Sequence, residues 1–587
     1  MEKWFVLRKG ADFQRIGEKF HINPRTACLI RNRDVVGDDQ IERYLYGTIS
    51  DLYDGMLMKD MDKAVEILKE KIQNQEKIRV IGDYDIDGVN STYILLEGIR
   101  GLGGDVDIDI PDRMKDGYGL NKNLVERALD EGVDTIVTCD NGIAATEEIR
   151  YGKDMGMTVI VTDHHEVPYE EDEDGKKTYL LPPADAVVDP KREDCEYPFK
   201  GLCGAGVAYK LIEALYNACG QDVEDVDYLM ENVAIATVGD VMDLVDENRI
   251  FVRQGLEMIK CTKNLGLRAL IQCTQVPLER LSPYHIGYVL GPCMNASGRL
   301  DTAKRSLELL CAQTKKEADV LAGDLKALND SRKELTEQAV NQAVDQVETT
   351  EIKEDKILVI YLPDCHESLA GIVAGRIRER YHKPAIVLTK AEKGAKGSGR
   401  SIETYHMYEG LNRCKDLLTK FGGHRLAAGM SLEEEKIEEF RQRLNELSGL
   451  TEEDMIEKVS IDMQMPLSVV GEEFIQEISL LEPFGKGNPK PLFAEKEIEI
   501  LSGRILGKNH NVMKLRVKSK EGIEIDAMYF GDIEKFREDM GAKYGERAVE
   551  EMLSGRRTGM KISAAYYPEI NEYMGKKTVQ ITISKYM

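Results

Sequence analysis

Three aspartates occupy alternate positions of one short segment, and their crowding predicts a metal site. Asp83, Asp85 and Asp87 follow directly after the apolar run Ile78–Ile81. Carboxylates this close repel one another, and a divalent cation relieves the repulsion because hard cations prefer oxygen ligands. Taken alone, the segment is also compatible with an acidic turn that binds no metal.

Other residues of metal-ligand type follow apolar runs further along the chain. Asp140 follows one run, His164 and His165 follow the next, and Asp240 ends another. In a parallel sheet, ligands gather at the edge where the carboxyl ends of the strands meet. Four aspartates and an imidazole at that edge can hold two cations about 4 Å apart, an arrangement that stabilises phosphoryl displacement. The set favours Mn²⁺ or Mg²⁺ over thiol-seeking metals, so a metallohydrolase is the leading interpretation.

We expect the two adjacent histidines to have different roles. Neighbouring residues at a strand exit point in different directions, so one imidazole would bind metal and the other would face substrate. Asp163 would accept a hydrogen bond from an imidazole and fix its tautomer. Polar loop surface is the alternative interpretation of this pair.

Composition and charge narrow the class of protein. The chain has 587 residues, of which 42% are hydrophobic and 31% charged, as in an ordinary globular protein of several domains. Its net charge of −26 means that a polyanion would need a local basic surface or metals. The eleven cysteines contain no CxxC pair, which favours reduced thiols in the cytoplasm. No apolar run is long enough to span a membrane, and the first residues lack a secretory signal.

Alternating apolar runs and helical periodicities predict an α/β fold with a mostly parallel, doubly wound sheet. The acidic segment Tyr169–Lys177 is predicted to be a solvated loop, and Lys315 to about Val347 a long connector helix. A smaller α/β unit follows, and short strands beyond about Ser460 predict a small β-barrel. The predicted strands of the first sheet are Ile78–Ile81, Val106–Ile110, Thr135–Cys139, Thr158–Thr162 and Ala186–Val188, and its helices include Ser91–Arg100, Lys122–Asp130 and Thr146–Asp154.

The ordered set of motifs resembles the DHH phosphoesterase superfamily and, within it, the RecJ family of single-strand exonucleases. The matching segments are Asp83–Gly88, Asp140–Gly142, Asp163–His165, Pro111–Arg113 with Gly117–Gly119, Asn295–Leu300, Gly397–Ser401, Phe421–His424 and Glu482–Pro489. The resemblance implies a DHH catalytic domain at 76–312, a connector helix at 313–350, a DHH-associated domain at 351–455 and an OB-fold at 456–587, after a helical lead-in at 1–75.

The same resemblance implies specific roles for the candidate site residues. Asp140 would bridge two cations, Asp83 would be a peripheral or auxiliary carboxylate, and His165 would contact the scissile phosphate. Ile81 departs from the phosphatase branches, which often carry a metal-binding histidine there, so either the first metal site would be weaker or Asp83 would assist it. The implied metal ligands are Asp83, Asp85, Asp87, Asp140, His164 and Asp240, and the implied catalytic residues are Asp140, Asp163 and His165.

The substrate side is expected to be rich in phosphate contacts. A planar guanidinium binds phosphate oxygens bidentately, and glycines let backbone amides approach an anion. The predicted substrate-binding residues are Arg113, Arg299, Ser398, Arg400, Gly422, Gly423 and His424. In the OB-fold the candidates for contacting DNA are Lys508, Lys514, Arg516, Lys518, Tyr529 and Phe530, with ordinary barrel surface and core as the alternative.

The resemblance implies a 5′-to-3′ exonuclease that uses two divalent cations, Mn²⁺ ahead of Mg²⁺, to degrade single-stranded DNA to 5′-mononucleotides in repair and recombination. It also implies a monomer without membrane contact, and a RecQ-type helicase and a single-stranded-DNA-binding protein as partners. One alternative is a DHH phosphodiesterase for short RNA, 3′-phosphoadenosine 5′-phosphate or cyclic dinucleotides. Another is a replication scaffold that has lost its ligands.

Overall fold

The computed structural model describes residues 2–111, 119–172, 175–300, 302–507, 510–573 and 575–587. Over those ranges no helix is both long and apolar enough to cross a membrane. The strands are β1 (Glu2–Val6), β2 (Ile78–Ile81), β3 (Val106–Asp109), β4 (Thr135–Cys139), β5 (Thr158–Thr162), β6 (Tyr169–Glu171), β7 (Lys177–Tyr179), β8 (Ala186–Val188), β9 (Leu358–Tyr361), β10 (Ala385–Lys390), β11 (Ala395–Arg400), β12 (Leu418–Gly423), β13 (Ala427–Leu432), β14 (Glu457–Ile461), β15 (Met463–Gln464), β16 (Phe493–Leu506), β17 (Val512–Lys518), β18 (Glu524–Tyr529), β19 (Met560–Tyr573) and β20 (Lys576–Tyr586).

The helices are α1 (Phe13–Phe20), α2 (Pro24–Asn32), α3 (Asp38–Tyr46), α4 (Met61–Gln73), α5 (Ile86–Gly101), α6 (Lys122–Asp130), α7 (Thr146–Asp154), α8 (Gly204–Ala218), α9 (Met230–Gly239), α10 (Asp246–Lys260), α11 (Leu265–Cys273), α12 (Pro283–His285), α13 (Gly291–Leu300), α14 (Lys304–Cys311), α15 (Lys315–Thr349), α16 (Ala370–Tyr381), α17 (Met407–Asn412), α18 (Ile437–Glu446), α19 (Glu472–Ile478), α20 (Ile533–Tyr544) and α21 (Glu546–Leu553). A π-helical turn, Ile286–Leu290, joins α12 to α13. The chain divides into two compact units, one with Tyr53–Met242 and Gln254–Glu457, the other with Glu2–Leu52, Asp243–Arg253 and Lys458–Met587.

A five-stranded parallel sheet in the order β3-β2-β4-β5-β8 forms the centre of the first unit. Helices α6 and α7 cover one face, whereas α5 and α8 contact the other. Strands buried on both faces are almost wholly apolar, as the run Ile78–Ile81 illustrates. Arg79 is the exception, and its guanidinium binds Asp107 and Glu131 at the sheet margin. The predicted doubly wound parallel sheet is confirmed.

A second sheet in the first unit follows the 35-residue helix α15. Its order is β12-β13-β11-β10-β9, in which β9 and β10 run parallel and are connected by α16, and the other pairs are antiparallel. Separate apolar cores lie on its two faces. This arrangement confirms the connector helix and the smaller α/β domain.

The second unit contains a closed β-barrel. Its sheet order is β15-β16-β17-β18-β20-β19, and β19 also pairs with β16, which closes the ring. The barrel core includes apolar side chains of α1, α2 and α3 together with those of α20 and α21. Arg249 ties the three segments together, since its guanidinium donates to the carbonyls of Tyr44 and Leu481, both at 2.8 Å. The predicted C-terminal barrel is confirmed.

Four local predictions need correction. Residues 2–6 are not helical but form β1, which pairs with β14. Helix α5 begins at Ile86 rather than Ser91, because Asp85 caps it. The acidic segment predicted as a loop contains the short exposed hairpin β6–β7, in which Tyr169 and Tyr179 stack edge to face. Helices α20 and α21 interrupt the predicted run of strands in the barrel.

Candidate metal centre and substrate face

The turn between β2 and α5 holds two of the aspartates at helix N-termini. Asp85 caps α5, and its Oδ1 accepts from the backbone N–H groups of Asp87 at 2.9 Å and Gly88 at 3.1 Å. Asp87 faces the start of α8 and accepts from the N–H groups of Gly204 at 2.6 Å and Ala205 at 2.8 Å. Because a helix N-terminus carries partial positive charge, both positions attract a carboxylate oxygen and fix its orientation.

Asp140 lies at the carboxyl end of β4 in a left-handed backbone conformation, with φ of 58°. Its side chain is almost fully buried. Gly204 allows this placement, because a Cβ at that position would lie only 2.7 Å from the Asp140 Cβ. The glycine at the start of α8 therefore serves two aspartates, by donating to Asp87 and by leaving room for Asp140.

His164 points its Nε2 atom into the carboxylate cluster. That nitrogen lies 3.0 Å from Oδ1 of Asp140, 3.5 Å from Oδ2 of Asp87 and 3.9 Å from Oδ2 of Asp240. Asp240 caps the carboxyl end of α9, so the apolar stretch before it is a helix. The neighbouring imidazole of His165 lies 4.5 Å away between ring centroids.

The imidazole of His165 lies beside that of His164 and is held by Asp163. The Oδ1 atom of Asp163 accepts from Nδ1 of His165 at 2.7 Å, and its Oδ2 atom accepts from the N–H of Ile143 at 2.9 Å. Burial alone would lower the pKa of His165, but the hydrogen bond and charge of Asp163 outweigh it and raise the pKa to about 9. Burial likewise opposes ionisation of Asp163, yet the His165 contact lowers its pKa overall. The imidazole is therefore a fixed, positively charged group with 44% of its side chain exposed.

The sequence-predicted ligands lie together in space. Three groups have their ligand atoms within 4.8 Å of one another: Asp83, Asp85 and Asp140; Asp87, His164 and Asp240; and Asp140, His164 and His165. Asp85 and Asp87 fall in different groups, and Asp140 belongs to two. Asp83 shares a group with Asp85, so its position is that of a potential ligand and not only of a helper.

Electrostatics indicate that the cluster needs positive charge. Burial and then the Asp85 carboxylate raise the pKa of Asp83 to about 8. Burial and then Asp87 raise the pKa of both Asp85 and Asp140. In the described part of the chain neither buried oxygen of Asp83 has a well-formed hydrogen bond. Oxygen donors that are crowded and unsatisfied, with one imidazole, fit divalent cations such as Mn²⁺.

Two features of this edge were missed by sequence reasoning. Asp189 follows β8, is fully buried, and has a pKa raised to about 7 by burial and by the nearby Asp163. The rule that ligands gather at strand ends would have found it, because it directly follows the apolar run Ala186–Val188. The Gly204 and Ala205 amides lie far along the chain from Asp87. In the sequence, only the glycines of the segment Gly201–Gly206 indicate that another part of the chain can lie close to this backbone.

The second sheet brings Ser398 and Arg400 together on β11. The Arg400 Nη1 donates to the Ser398 hydroxyl at 3.2 Å and to the Gly399 carbonyl at 2.9 Å. A Cβ at Gly371 on α16 would lie 2.8 Å from the Arg400 guanidinium, so this glycine makes room for it. Burial and neighbouring Arg378 lower the pKa of Arg400, although a guanidinium stays charged at neutral pH. Two adjacent guanidiniums favour an anionic ligand.

The other predicted substrate residues lie at separate points. Arg299 on α13 donates to the Ser368 carbonyl at 3.0 Å, beside the start of α16. Gly422 and Gly423 lie on the edge strand β12, and Gly422 shares a row with Gly429 and Ser398. No described atom lies within 4 Å of a Cβ built on Gly422, so the sheet face is open at that position. His424 is exposed just beyond β12. Arg113 lies outside the described residues.

The barrel candidates for DNA contact are mostly accounted for by other interactions. Lys514 and Arg516 bind Asp526 at 2.7 Å and 3.0 Å. Tyr529 is buried in the barrel core, whereas Phe530 is 59% exposed. Lys508 lies outside the described residues. The ion pairs of Lys514 and Arg516 and the burial of Tyr529 favour the alternative of ordinary barrel surface and core for these three residues.

Comparison with known proteins gives three matching domain families. Residues 77–237 match the N-terminal domain of the DHH family, 354–449 the DHHA1 domain and 461–585 the RecJ OB domain. The chain is 35% identical to the single-stranded-DNA-specific exonuclease RecJ of Bacillus subtilis, across 99% of this chain and 70% of that protein. It is 34% identical to the Salmonella typhimurium RecJ, across 95% of both chains. The chain belongs to the RecJ family.

A solved RecJ structure agrees with this assignment. The Thermus thermophilus RecJ, crystallised with Mn²⁺, superposes with a TM-score of 0.81 at 26% identity, over 100% of this chain and 79% of that one. The DHH match holds the aspartates that follow β2 and β4 and both histidines, and ends three residues before Asp240. The DHHA1 match holds the Ser398 and Arg400 pair and the Gly422–His424 segment. The RecJ family therefore shares the domains on which both candidate sites lie.

Proposed function

We propose that this RecJ-family chain is a metal-dependent 5′-to-3′ exonuclease that degrades single-stranded DNA to 5′-mononucleotides in DNA repair and recombination. The observation that carries the proposal is the meeting of six metal-ligand side chains at one sheet edge. They lie in a chain that also has the DHHA1 and RecJ OB domains. Relatives named as single-stranded-DNA-specific exonucleases, alike over most of their length, support the choice of substrate.

We propose that two cations, Mn²⁺ ahead of Mg²⁺, bind the clustered side chains. Asp83, Asp85 and Asp140 would hold one, and Asp87, Asp140, His164 and Asp240 the other. When bound, such cations supply Lewis-acid polarisation and neutralise charge that develops on phosphate oxygens. The backbone N–H groups at the helix N-termini that contact Asp85 and Asp87 would hold these ligands in one orientation before metal binds.

The remaining residues would position the DNA. His165, held in one orientation by Asp163 through Nδ1, would donate from Nε2 to the scissile phosphate. Arg400 and Ser398 would bind the 5′-terminal phosphate, assisted by Arg299 and Arg113. The open row of the second sheet at Gly422, with Gly423 and His424 beyond it, would accommodate the backbone of a strand. Degradation would proceed from the 5′ end if Arg400 binds the 5′-terminal phosphate.

We infer that the predicted domain at 76–312 performs catalysis, that the domain at 351–455 binds the 5′ end, and that the domain at 456–587 binds DNA. A cytoplasmic monomer that works with a RecQ-type helicase and a single-stranded-DNA-binding protein completes the proposal. The resemblance to the family supports these finer assignments. Sedimentation of the purified chain and pull-down with each purified partner would test them, and a stable dimer or no capture would reject the respective assignment.

The alternative is a DHH phosphodiesterase for short RNA or cyclic dinucleotides, and one assay separates the two. Single-stranded DNA with a 5′ phosphate, labelled at either end, is offered beside duplex DNA, oligoribonucleotides and cyclic di-AMP, with Mn²⁺ or EDTA. We expect Mn²⁺-dependent release of mononucleotides from the 5′-labelled end of single-stranded DNA alone. Preferential hydrolysis of cyclic di-AMP or short RNA would reject the proposal, as would early release of the 3′ label.

A further inference from the structure

A cavity of about 590 Å³ lies in the first unit, and the proposed nuclease mechanism does not use it. It is lined by side chains from α5, α9, α10 and the segment that follows α10. Tyr93 and Tyr228 supply aromatic surface, and Asn264 donates to the Tyr93 hydroxyl at 3.0 Å. Its volume falls in the range of about 300–1,000 Å³ that small-molecule sites occupy.

The cavity contains a buried carboxyl group without a cationic partner. Glu231 is only 3% exposed, and Thr262 donates to its Oε1 at 2.8 Å. Over the described ranges, Thr262 is its only hydrogen-bond partner, and no lysine or arginine pairs with it. Burial raises the pKa of Glu231 to about 7, so that the group is ionised in mildly alkaline solution at an energetic cost. A ligand that donates hydrogen bonds to the open Oε2 would remove that cost.

The side chains of this cavity favour a planar ligand that donates hydrogen bonds. A carboxylate only accepts hydrogen bonds, and two aromatic side chains favour a flat ring. Guanine carries two adjacent donors, N1–H and the N2 amino group, on its Watson–Crick edge. Adenine and cytosine place an acceptor beside their donor there, and that acceptor would face the carboxylate oxygens.

A second cavity of about 740 Å³ adjoins the first, because Cys261 and Thr262 line both. Its charged lining is Lys260, Arg268 and Arg280 against the single acid Glu279. In a chain with net charge −26, three cations around one cavity favour an anionic ligand group. Because the cavities adjoin, a single nucleotide would place its base in the first and its phosphates in the second.

We propose that this chain binds a guanine nucleotide at these adjoining cavities, with the base on Glu231 and the phosphates among Lys260, Arg268 and Arg280. The site is separate from the metal centre. Glu231 lies in the first turn of α9 and Asp240 caps its other end, nine residues or about 13 Å along the helix. A bound nucleotide would therefore contact the helix whose other end carries Asp240, one of the proposed metal ligands. The proposal does not depend on nuclease activity.

Calorimetric titration of the full chain with GDP, in EDTA at pH 8, tests the proposal. We expect GDP to bind at least tenfold more tightly than ADP, because only guanine offers paired donors to Glu231. Glu231→Gln should lose this preference and remain folded, since its amide oxygen still accepts from Thr262. Arg268→Ala should reduce the affinity for GDP towards that for guanosine. Glu66→Gln, on the exposed face of α4, is the control with the same change of side chain and should bind as the unmodified chain does.

Alkylation of Cys261 provides a second readout. This thiol is exposed and lines both cavities, so GDP should slow its modification, measured by peptide mass spectrometry. Asp140→Asn should retain GDP binding, which separates this site from the proposed nuclease centre. Equal binding of GDP and ADP, unchanged alkylation, or loss of GDP binding in Arg400→Ala would overturn the proposal. The last result would mean that GDP occupies the phosphate-binding face of the second sheet.

Discussion

Asp140 combines a left-handed backbone with a buried carboxyl group that faces three other aspartates. Its removal should therefore affect the metal-free and the metal-loaded protein in opposite ways. Asp140→Asn keeps the backbone conformation, which asparagine tolerates, and removes one repelling charge. We expect a higher Tm than the unmodified chain in EDTA and loss of most of the Tm increase on addition of Mn²⁺, measured by scanning calorimetry.

The exposed substitution Asp105→Asn serves as the control and should change neither value. An Asp140→Asn variant that keeps the full response to Mn²⁺ would contradict the bridging position of this aspartate.

In the proposed reaction Asp163 acts through His165, which it orients by a hydrogen bond to Nδ1. Asp163→Asn should lower kcat by roughly 10- to 100-fold, the usual effect of losing such a supporting hydrogen bond. The carboxylate raises the pKa of His165 to about 9, so without it the imidazolium deprotonates at lower pH. We expect the alkaline limit of kcat/KM to move to lower pH in a pH–rate profile. An unshifted alkaline limit would mean that another group sets it.

Glu231 should make stability depend on pH. Its folded pKa of about 7 exceeds its ordinary value of 4.5, so burying the charge costs stability progressively as pH rises from about 4.5 to 7. Below that window the cost is absent, and above it the cost is constant. Relative to the unmodified chain, Glu231→Gln should gain roughly 2–3 kcal/mol between pH 4.5 and pH 8, measured by urea unfolding. A difference between the two chains that does not change with pH would contradict the raised pKa.

At the scale of elements, the start of α8 determines how closely the helix approaches the metal centre. Gly204→Ala would place a Cβ 2.7 Å from the Asp140 Cβ and 3.0 Å from its Cα. Because the obstructing atoms are part of a buried turn, we expect a loss of about 1–3 kcal/mol in unfolding free energy and weaker Mn²⁺ binding. Gly323→Ala in α15, where a Cβ meets no described atom within 4 Å, should instead stabilise the chain by about 0.5–1 kcal/mol.

Much of the central sheet could be predicted because buried parallel strands are continuous apolar runs. Four of the five predicted strands have the observed ends. The site residues follow these strands, and only the fold shows how closely they come together. The aspartates and histidines of the metal centre followed from one rule, that ligands lie where parallel strands end. That rule also reached Asp240, although the element before it is a helix.

Other elements could not be predicted, because their stability depends on distant partners. Strand β1 pairs with β14, more than 450 residues later, and nothing local marks it as a strand. The start of α5 was missed because aspartates and glycine resemble a loop until Asp85 is seen to cap a helix. The contacts of Asp87 with the start of α8 likewise join segments more than 100 residues apart.

At the scale of the whole molecule, the barrel unit is built from separate stretches of chain. Its core joins Ile16, Phe20 and Leu29 to barrel side chains such as Phe493 and Leu515. Deletion of residues 458–587 alone would expose the apolar faces of α1–α3. We expect that variant to aggregate, and a variant that also lacks residues 2–52 to be better behaved. Size-exclusion chromatography and dye binding to exposed apolar surface would compare them, and equal behaviour would contradict a shared core.

The same shared core has a consequence for synthesis on the ribosome. Residues 2–52 leave the exit tunnel early, yet the barrel segment that packs on them begins at Lys458. At about 5–20 residues per second, the intervening 405 residues take roughly 20–80 s to translate. Throughout that interval the first three helices carry apolar faces that only later sequence will cover. A nascent chain of this kind is a natural client for ribosome-associated chaperones.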